Sequence, residues 1–291
     1  MYQLLQIELY KIFRRPRTYI AFAAISALIG IIQLGLKMNG EEYIGFMMAN
    51  VGQSFTFDGK LLNGYLVCYI LLQLLLVHVP LLIALVAADM ISGEANMGTL
   101  RLMLTKPISR TQFLLAKFTA SAIYTFMLLV WIALLALFFS MFLFGTDDMV
   151  IQKTNYLVQL PVGDVFWRYV GAFGFALLSM LTVTALGFFL SLFAENSIGP
   201  IVATMSVIIF FTILSTMSIP LFQKIQPFLF TTHMVNWKEF FDPQVNSENT
   251  VLVGTVQRPG RIITSTLMLA GHIVGFVVAT IVIFKKKDIL T

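Results

Sequence analysis

The chain has 291 residues, 58 % hydrophobic and only 11 % charged, with a net charge of +5. A soluble domain carries about 25 % charged residues, so this composition belongs to an integral membrane protein, and no polar stretch is long enough to fold as a soluble domain of its own. The basic residues flank apolar runs and form no patch, which argues against nucleic acid as a partner; the single cysteine, Cys68, rules out a disulfide framework or thiolate metal site within one chain.

Residues 1–17 set Leu4, Leu5, Ile7, Leu9, Ile12 and Phe13 among Gln3, Gln6, Glu8, Lys11 and Arg14. That spacing gives a helix with one apolar face and a basic end, suited to the membrane interface. Residues 18–36 carry no charge and make roughly 28 Å of helix, enough to cross a bilayer. A cleaved signal peptide is the rival reading. The long leader containing Glu8, and the absence of a small-residue cleavage site, favour a retained span.

A Gly-rich polar loop leads to a second span, 61–88, which contains Pro80. A charged segment, 89–117, separates it from a third span at 118–144. After a polar loop, the fourth span covers 169–194 and a short turn at Glu195 leads into a fifth, 197–222. In that turn Ser197 suits a helix cap and Pro200 a first helical turn. Residues 223–261 alternate Phe228, Phe230, Trp237, Phe240 and Phe241 with polar residues, as in a segment lying at the lipid–water interface. Trp167, Tyr169 and the Phe138, Phe139, Phe142, Phe144 cluster read as interfacial anchors. The sixth span, 262–284, closes on Lys285-Lys286-Lys287.

Six spans put both termini on one side of the membrane. That side also holds 89–117 and the Glu195 turn, and carries 11 Lys/Arg against 8 in the three longer loops opposite. The basic residues are densest beside the first and last spans, so both termini are expected in the cytoplasm.

None of the six runs, so bounded, contains a charge, which disfavours an ion- or proton-coupled carrier. Gly59-Lys60 lacks the upstream glycine of a nucleotide-binding loop, and no catalytic motif is present. No catalytic residue, metal site or chain-bound cofactor is therefore expected. His78 and His272 lie within spans. They read first as imidazoles bonded to backbone carbonyls and second as candidates for a substrate path. Gly271, Gly275 and Ala279, four residues apart, mark a close-packing helix face, expected within the chain before a dimer seam.

The segment 89–110 differs from its surroundings. Asp89, Ile91, Glu94, Leu100, Arg101 and Leu104 mix charge with apolar residues, and Gly93 and Gly98 permit close approach or a break. Lys106-Pro107 marks a turn. Ser109, with Gln112 three residues on, can cap the next helix. As a bare connector the segment is overlong, which favours a docking element.

Asp89-Met90-Ile91-Ser92-Gly93-Glu94, then Gly98-Thr99-Leu100-Arg101, then Leu104-Thr105-Lys106-Pro107-Ile108-Ser109-Arg110 and Lys117, resemble the signature of membrane permease subunits of type-2 ATP-binding-cassette (ABC) transporters. The likeness extends to Ser191–Ser197 and to the closing Phe284–Ile289, so it covers essentially the whole chain. It implies an all-α integral membrane protein: six transmembrane helices, an N-terminal amphipathic interfacial helix, and a cytosolic coupling helix between helices 2 and 3, as one transmembrane domain over 1–291. It further implies a homodimer or pseudo-dimer of permeases on two cytosolic ABC ATPase subunits, which hold the ATP and Mg. The site residues it implies for ATPase coupling are Asp89, Ile91, Glu94, Gly98, Thr99, Leu100, Arg101, Leu104, Pro107, Arg110 and, in the second contact, Glu195. Glu94 and Arg101 are expected to make charged contacts, and Leu100 and Leu104 to fill the ATPase groove. The expected location is the cytoplasmic (inner) membrane, with room for an external or periplasmic partner at 223–261. An exporter is the first reading. An ion-coupled carrier or channel, and a non-transporting tether for an ATPase, are the alternatives, and the cargo is open.

Overall fold

The computed structural model describes residues 1–48, 60–100, 108–152, 157–246 and 250–287. Helix α1, Tyr2–Arg14, ends where Arg15 turns extended (φ −86°, ψ 130°), and Pro16 opens α2, Pro16–Met48. Proline suits that first helical turn, because its missing N–H has no acceptor there anyway. Helix α2 runs past the expected end of the first span at residue 36. It is interrupted only at Asn39, where φ is −123° and ψ 27°.

Helix α3, Gly64–Ala87, is capped by the Asn63 side chain, which accepts from the Leu66 amide at 3.0 Å, and it continues through Pro80. A short helix, α4 (Ser92–Asn96), follows it. Helix α5, Arg110–Phe144, is 35 residues long, and residues 134–139 within it wind as a π-helix. Helix α6 is Val162–Leu190, α7 Ile198–Thr216, α8 Pro220–Ile225, α9 Phe230–Met234 and α10 Pro259–Lys286.

Among the described residues six helices, within α2, α3, α5, α6, α7 and α10, are long and apolar enough to cross a membrane. The protein is an all-α integral membrane protein of the kind expected. Helix α6 sits at the centre of the bundle against α3, α5 and α10, and 67 % of its most apolar stretch is buried, against 17 % for α7 and α10. The two outer helices leave broad apolar faces to lipid.

Four expectations are corrected. The polar loop before the fourth span contains an antiparallel hairpin, β1 (Met149–Gln152) paired with β2 (Leu157–Leu160) in the register Met149 to Leu160. Its Met149, Ile151, Val158 and Leu160 are buried, so apolar residues in a short run paired with each other instead of lying in a loop. The fifth span stops at Thr216, because Pro220 pushes Ile219 into an extended conformation (φ −82°, ψ 131°), and the chain restarts as α8. Residues 230–241 do not lie flat at an interface. Phe230, Trp237 and Phe241 are buried, and the last two pack on Tyr69 with ring centroids 5.4 and 5.3 Å away. Tyr169, expected as an anchor, is wholly buried beneath them, with Phe241 at 4.8 Å. Phe142 keeps the exposed position expected of an anchor.

Candidate functional site

The segment after α3 turns back on itself as an elbow. The Ser92 hydroxyl donates to the Ala88 carbonyl at 2.9 Å, and the Gly93 amide to the Asp89 carbonyl at 2.9 Å. Gly93 is required by proximity: a Cβ there would lie 2.5 Å from Asp89 Oδ1. Gly98 supplies the break, at φ +67°. The elbow is held against a second part of the chain, a single 3-10 turn at Ser191–Phe193. There the Ser191 hydroxyl accepts from the amides of Ile91 (3.0 Å) and Ser92 (2.9 Å), satisfying two buried donors.

The described charges of the elbow, Asp89 and Glu94, point inward. Glu94 is 3 % exposed, and its Oε1 meets Lys11 Nζ at 2.7 Å and Lys117 Nζ at 2.8 Å. The same two ammonium groups also bond Glu8, each at 2.8 Å. Two carboxylates and two ammonium groups thus close a neutral ring drawn from α1, α4 and α5. Burying such charges is costly unless they are paired in this way. Burial pushes the Glu94 carboxyl up, but the Lys117 charge, with the Lys11 and Lys117 hydrogen bonds, outweighs it and holds the group below its ordinary range. Burial lowers the Lys11 ammonium, and its bonds to Glu8 and Glu94 more than reverse this. Beside the ring, buried Asp89 pairs with Arg15 and, at 2.8 Å, with Arg17. The basic stretch from the end of α1 into the start of α2 is therefore fastened to the elbow by three cation–carboxylate contacts, from Lys11 to Glu94 and from Arg15 and Arg17 to Asp89.

These placements revise the sequence reading residue by residue. Asp89, Ile91 and Leu100 are buried in this chain, and Glu94 is spent on Lys11 and Lys117, so a direct charged contact from Glu94 to another protein is corrected. Thr99 donates its hydroxyl to the Glu94 carbonyl at 3.3 Å. Arg110 donates to the carbonyls of Phe284, Lys285 and Lys287 at 3.1–3.2 Å, tying the start of α5 to the end of α10. The Ser109 hydroxyl accepts from the Gln112 amide at 3.2 Å, as its capping role requires. Arg101, Leu104 and Pro107 lie outside the described residues. Glu195 is exposed beside the 3-10 turn, and Asn196, not Ser197, supplies the cap, accepting from the Gly199 amide at 2.7 Å.

Sequence reasoning missed the side chains that do face outward. Met97 at the elbow tip is 56 % exposed, and Phe193 on the neighbouring turn 61 %. Their apolar character was visible, but only the inward turn of Glu94 and Leu100 shows that these two are left outside. Lys117 was read as lying before a charge-free span; it sits two turns inside α5 and is 1 % exposed.

Elsewhere the histidines of the spans bond to their own helices, His78 Nδ1 to the Leu74 carbonyl at 2.9 Å and His272 Nδ1 to that of Met268 at 2.8 Å. Gly271 and Gly275 are exposed, with nothing within 4 Å of an added Cβ, so their packing within the chain is corrected; α10 instead buries Ser265, Leu269, Thr280 and Phe284. Among the described residues no group of His, Cys, Asp and Glu converges to hold a metal ion.

The opposite end of the bundle has its own charged centre. Arg168, wholly buried, pairs with Asp164 at 2.5 Å and donates to the carbonyls of Phe240 (2.6 Å) and Thr255 (2.9 Å). Asp164 also accepts from Trp167 at 2.7 Å and from the Gly254 amide at 2.8 Å. One helical turn of α6 thereby holds down a cap formed by residues 230–246 and 250–258.

A family model described as ABC-2 family transporter protein matches residues 2–289. No curated protein matches the chain.

Proposed function

The chain belongs to the ABC-2 transporter family as its membrane permease component, and on that premise we propose that it is the permease subunit of an exporter driven through the elbow by a separate ATPase. The family's membrane component is not itself catalytic, and it implies an ABC ATPase as partner. In this reading ATP and Mg are bound by that partner, in two copies. The elbow end of the bundle is cytosolic, so both termini lie in the cytoplasm of a cell whose cytoplasmic (inner) membrane holds the protein. Two permease copies form the path, and the open Gly271/Gly275 face of α10 is the surface this chain leaves for a second copy.

The observation that carries the reading is the elbow itself. Among the described residues its charges Asp89 and Glu94 are paired internally, and Met97 stands exposed beside Phe193 and Glu195. Such a pair suits insertion into a groove on another protein, with aromatic and Met side chains at its centre. Glu94, Asp89 and Arg110 then act by position: they join the tip to α1, α5 and α10, so a push on the tip reaches three helices together. The ion-coupled carrier rested on the presence or absence of charge in the spans. Charges do occur near the ends of α5 and α6, and each is paired within the chain.

The test is co-purification. A tagged chain is drawn from its native membrane in mild detergent, and vanadate-sensitive ATP hydrolysis is measured in the eluate. Met97→Asp and Phe193→Asp are expected each to lower that activity at least about 10-fold, with unchanged levels in the membrane, as loss of a buried anchor of about 1.4 kcal/mol or more requires. Full activity in both variants would overturn the reading.

A further inference from the structure

Helix α5 is fixed at both ends. At the elbow, Lys117 enters the ion-pair ring and Arg110 holds the end of α10. At the cap end, the Gly64 amide donates to the Gly145 carbonyl at 2.8 Å. There the start of α3 lies so close to α5 that a Cβ on Gly64 would stand 2.4 Å from Met141 Cα. Between these anchors lie the six residues of the π-helix, Leu134–Phe139. A π turn holds one residue more than an α turn, and such stretches are rare and frequently lie at functional sites.

A polar side chain of α2 bonds to this stretch from outside. Gln33 of α2 is 2 % exposed, and its Nε2 donates to the Leu135 carbonyl at 2.9 Å and to the Ser140 hydroxyl at 2.8 Å. Leu135 and Ser140 are five residues apart, the span of one π turn. A primary amide in an apolar bundle is costly unless its hydrogens are bonded, and here both are used. If the stretch rewound as α-helix, Ser140 would rotate by about 100° relative to Leu135, and Gln33 could no longer reach both acceptors.

We propose that residues 134–139 are a register switch in the third span, and that Gln33 is the positioning residue that holds it in the π state. Its bonds favour one of two arrangements only, as a two-state element requires. The elbow end of α5 can then move while the cap end stays against α3, with the change of length and rotation absorbed at the switch. This deepens the proposed function, because it takes the elbow as the driven end.

The test reads the switch directly and needs no ATPase, so it can fail while the proposed function stands. The full chain is placed in nanodiscs with nitroxides on Phe126→Cys and Phe142→Cys, which are 52 % and 81 % exposed on either side of the stretch; Cys68 is wholly buried and stays unlabelled. The unaltered switch gives one distance. Gln33→Leu adds a second, longer distance, because an α-helix rises more per residue than the wider π turn, and it raises that population from below about 10 % to about half. Ser140→Ala, which keeps the backbone bond, gives the same longer distance in a smaller share, and it decides the matter alone if Gln33→Leu does not reach the membrane. One unshifted or merely broadened distance in the variants overturns the proposal.

Discussion

The two ends of the bundle are both built around buried ion pairs, yet they are wired differently. At the cap, Asp164 and Arg168 stand four residues apart on one helix, and every other bond they make reaches α6 or a loop of the cap. The charge is local and the loops hang from it, which makes a fixture. At the elbow, Glu8, Lys11, Glu94 and Lys117 come from three elements, and the span from Glu8 to Lys117 is 109 residues of chain. No member can shift without disturbing the others, which makes a joint. The same chemistry therefore hangs loops from a single helix at one end and ties three elements together at the other.

The comparison predicts its sharpest break at the cap. Arg168→Met strands the Asp164 carboxylate in a buried site and frees two loop carbonyls, an expected loss of about 3–5 kcal/mol. Thermal unfolding in detergent should show it. Limited proteolysis should open residues 242–258 while the elbow keeps its native cleavage pattern. Protection of the cap in this variant would mean that Arg168 is no fixture.

A somewhat smaller effect is expected at the joint. Lys117→Met leaves Glu8 and Glu94 with Lys11 alone, an expected loss near 3 kcal/mol. Adding Glu94→Gln restores neutrality and should recover about 1–2 kcal/mol, a coupling that a double-mutant cycle measures. Additive losses would show that the ring is a set of independent pairs and not a joint.

The smallest effect is on pH. The Glu94 carboxyl sits below its ordinary 4.5, so its contribution is complete above 4.5 and is lost as pH falls through the lower folded-state value. The Lys11 ammonium sits above its ordinary 10.5, so its contribution is complete below 10.5 and is lost as pH rises through the higher value. The difference in melting temperature between the wild type and Lys117→Met should thus be flat across neutral pH and shrink in acid. A difference that changes near neutrality would place another titrating group in the ring.

Much of this was legible in the amino-acid order. Six long apolar runs satisfy their backbone in lipid as helices, since a barrel would need short strands of alternating polarity. Ser109 before Gln112 announced a boundary by local chemistry. The motif from Asp89 to Arg110 singled out the elbow and, through its resemblance, the family. What could not be read was direction. Glu94 and Met97 lie three residues apart on one short segment, and one turns in while the other stays out; nothing local distinguishes them, because the partners of Glu94 are contributed by residues 11 and 117. Gly271 and Gly275 likewise mark a helix face by spacing, while what that face meets depends on helices far along the chain. Gln33 was an unremarked polar residue in an apolar run until α5 placed a π turn against it. Helix, span and boundary follow from neighbours in sequence. Burial, charge pairing and the facing of each side chain follow from neighbours in space, and only the packed bundle decides those.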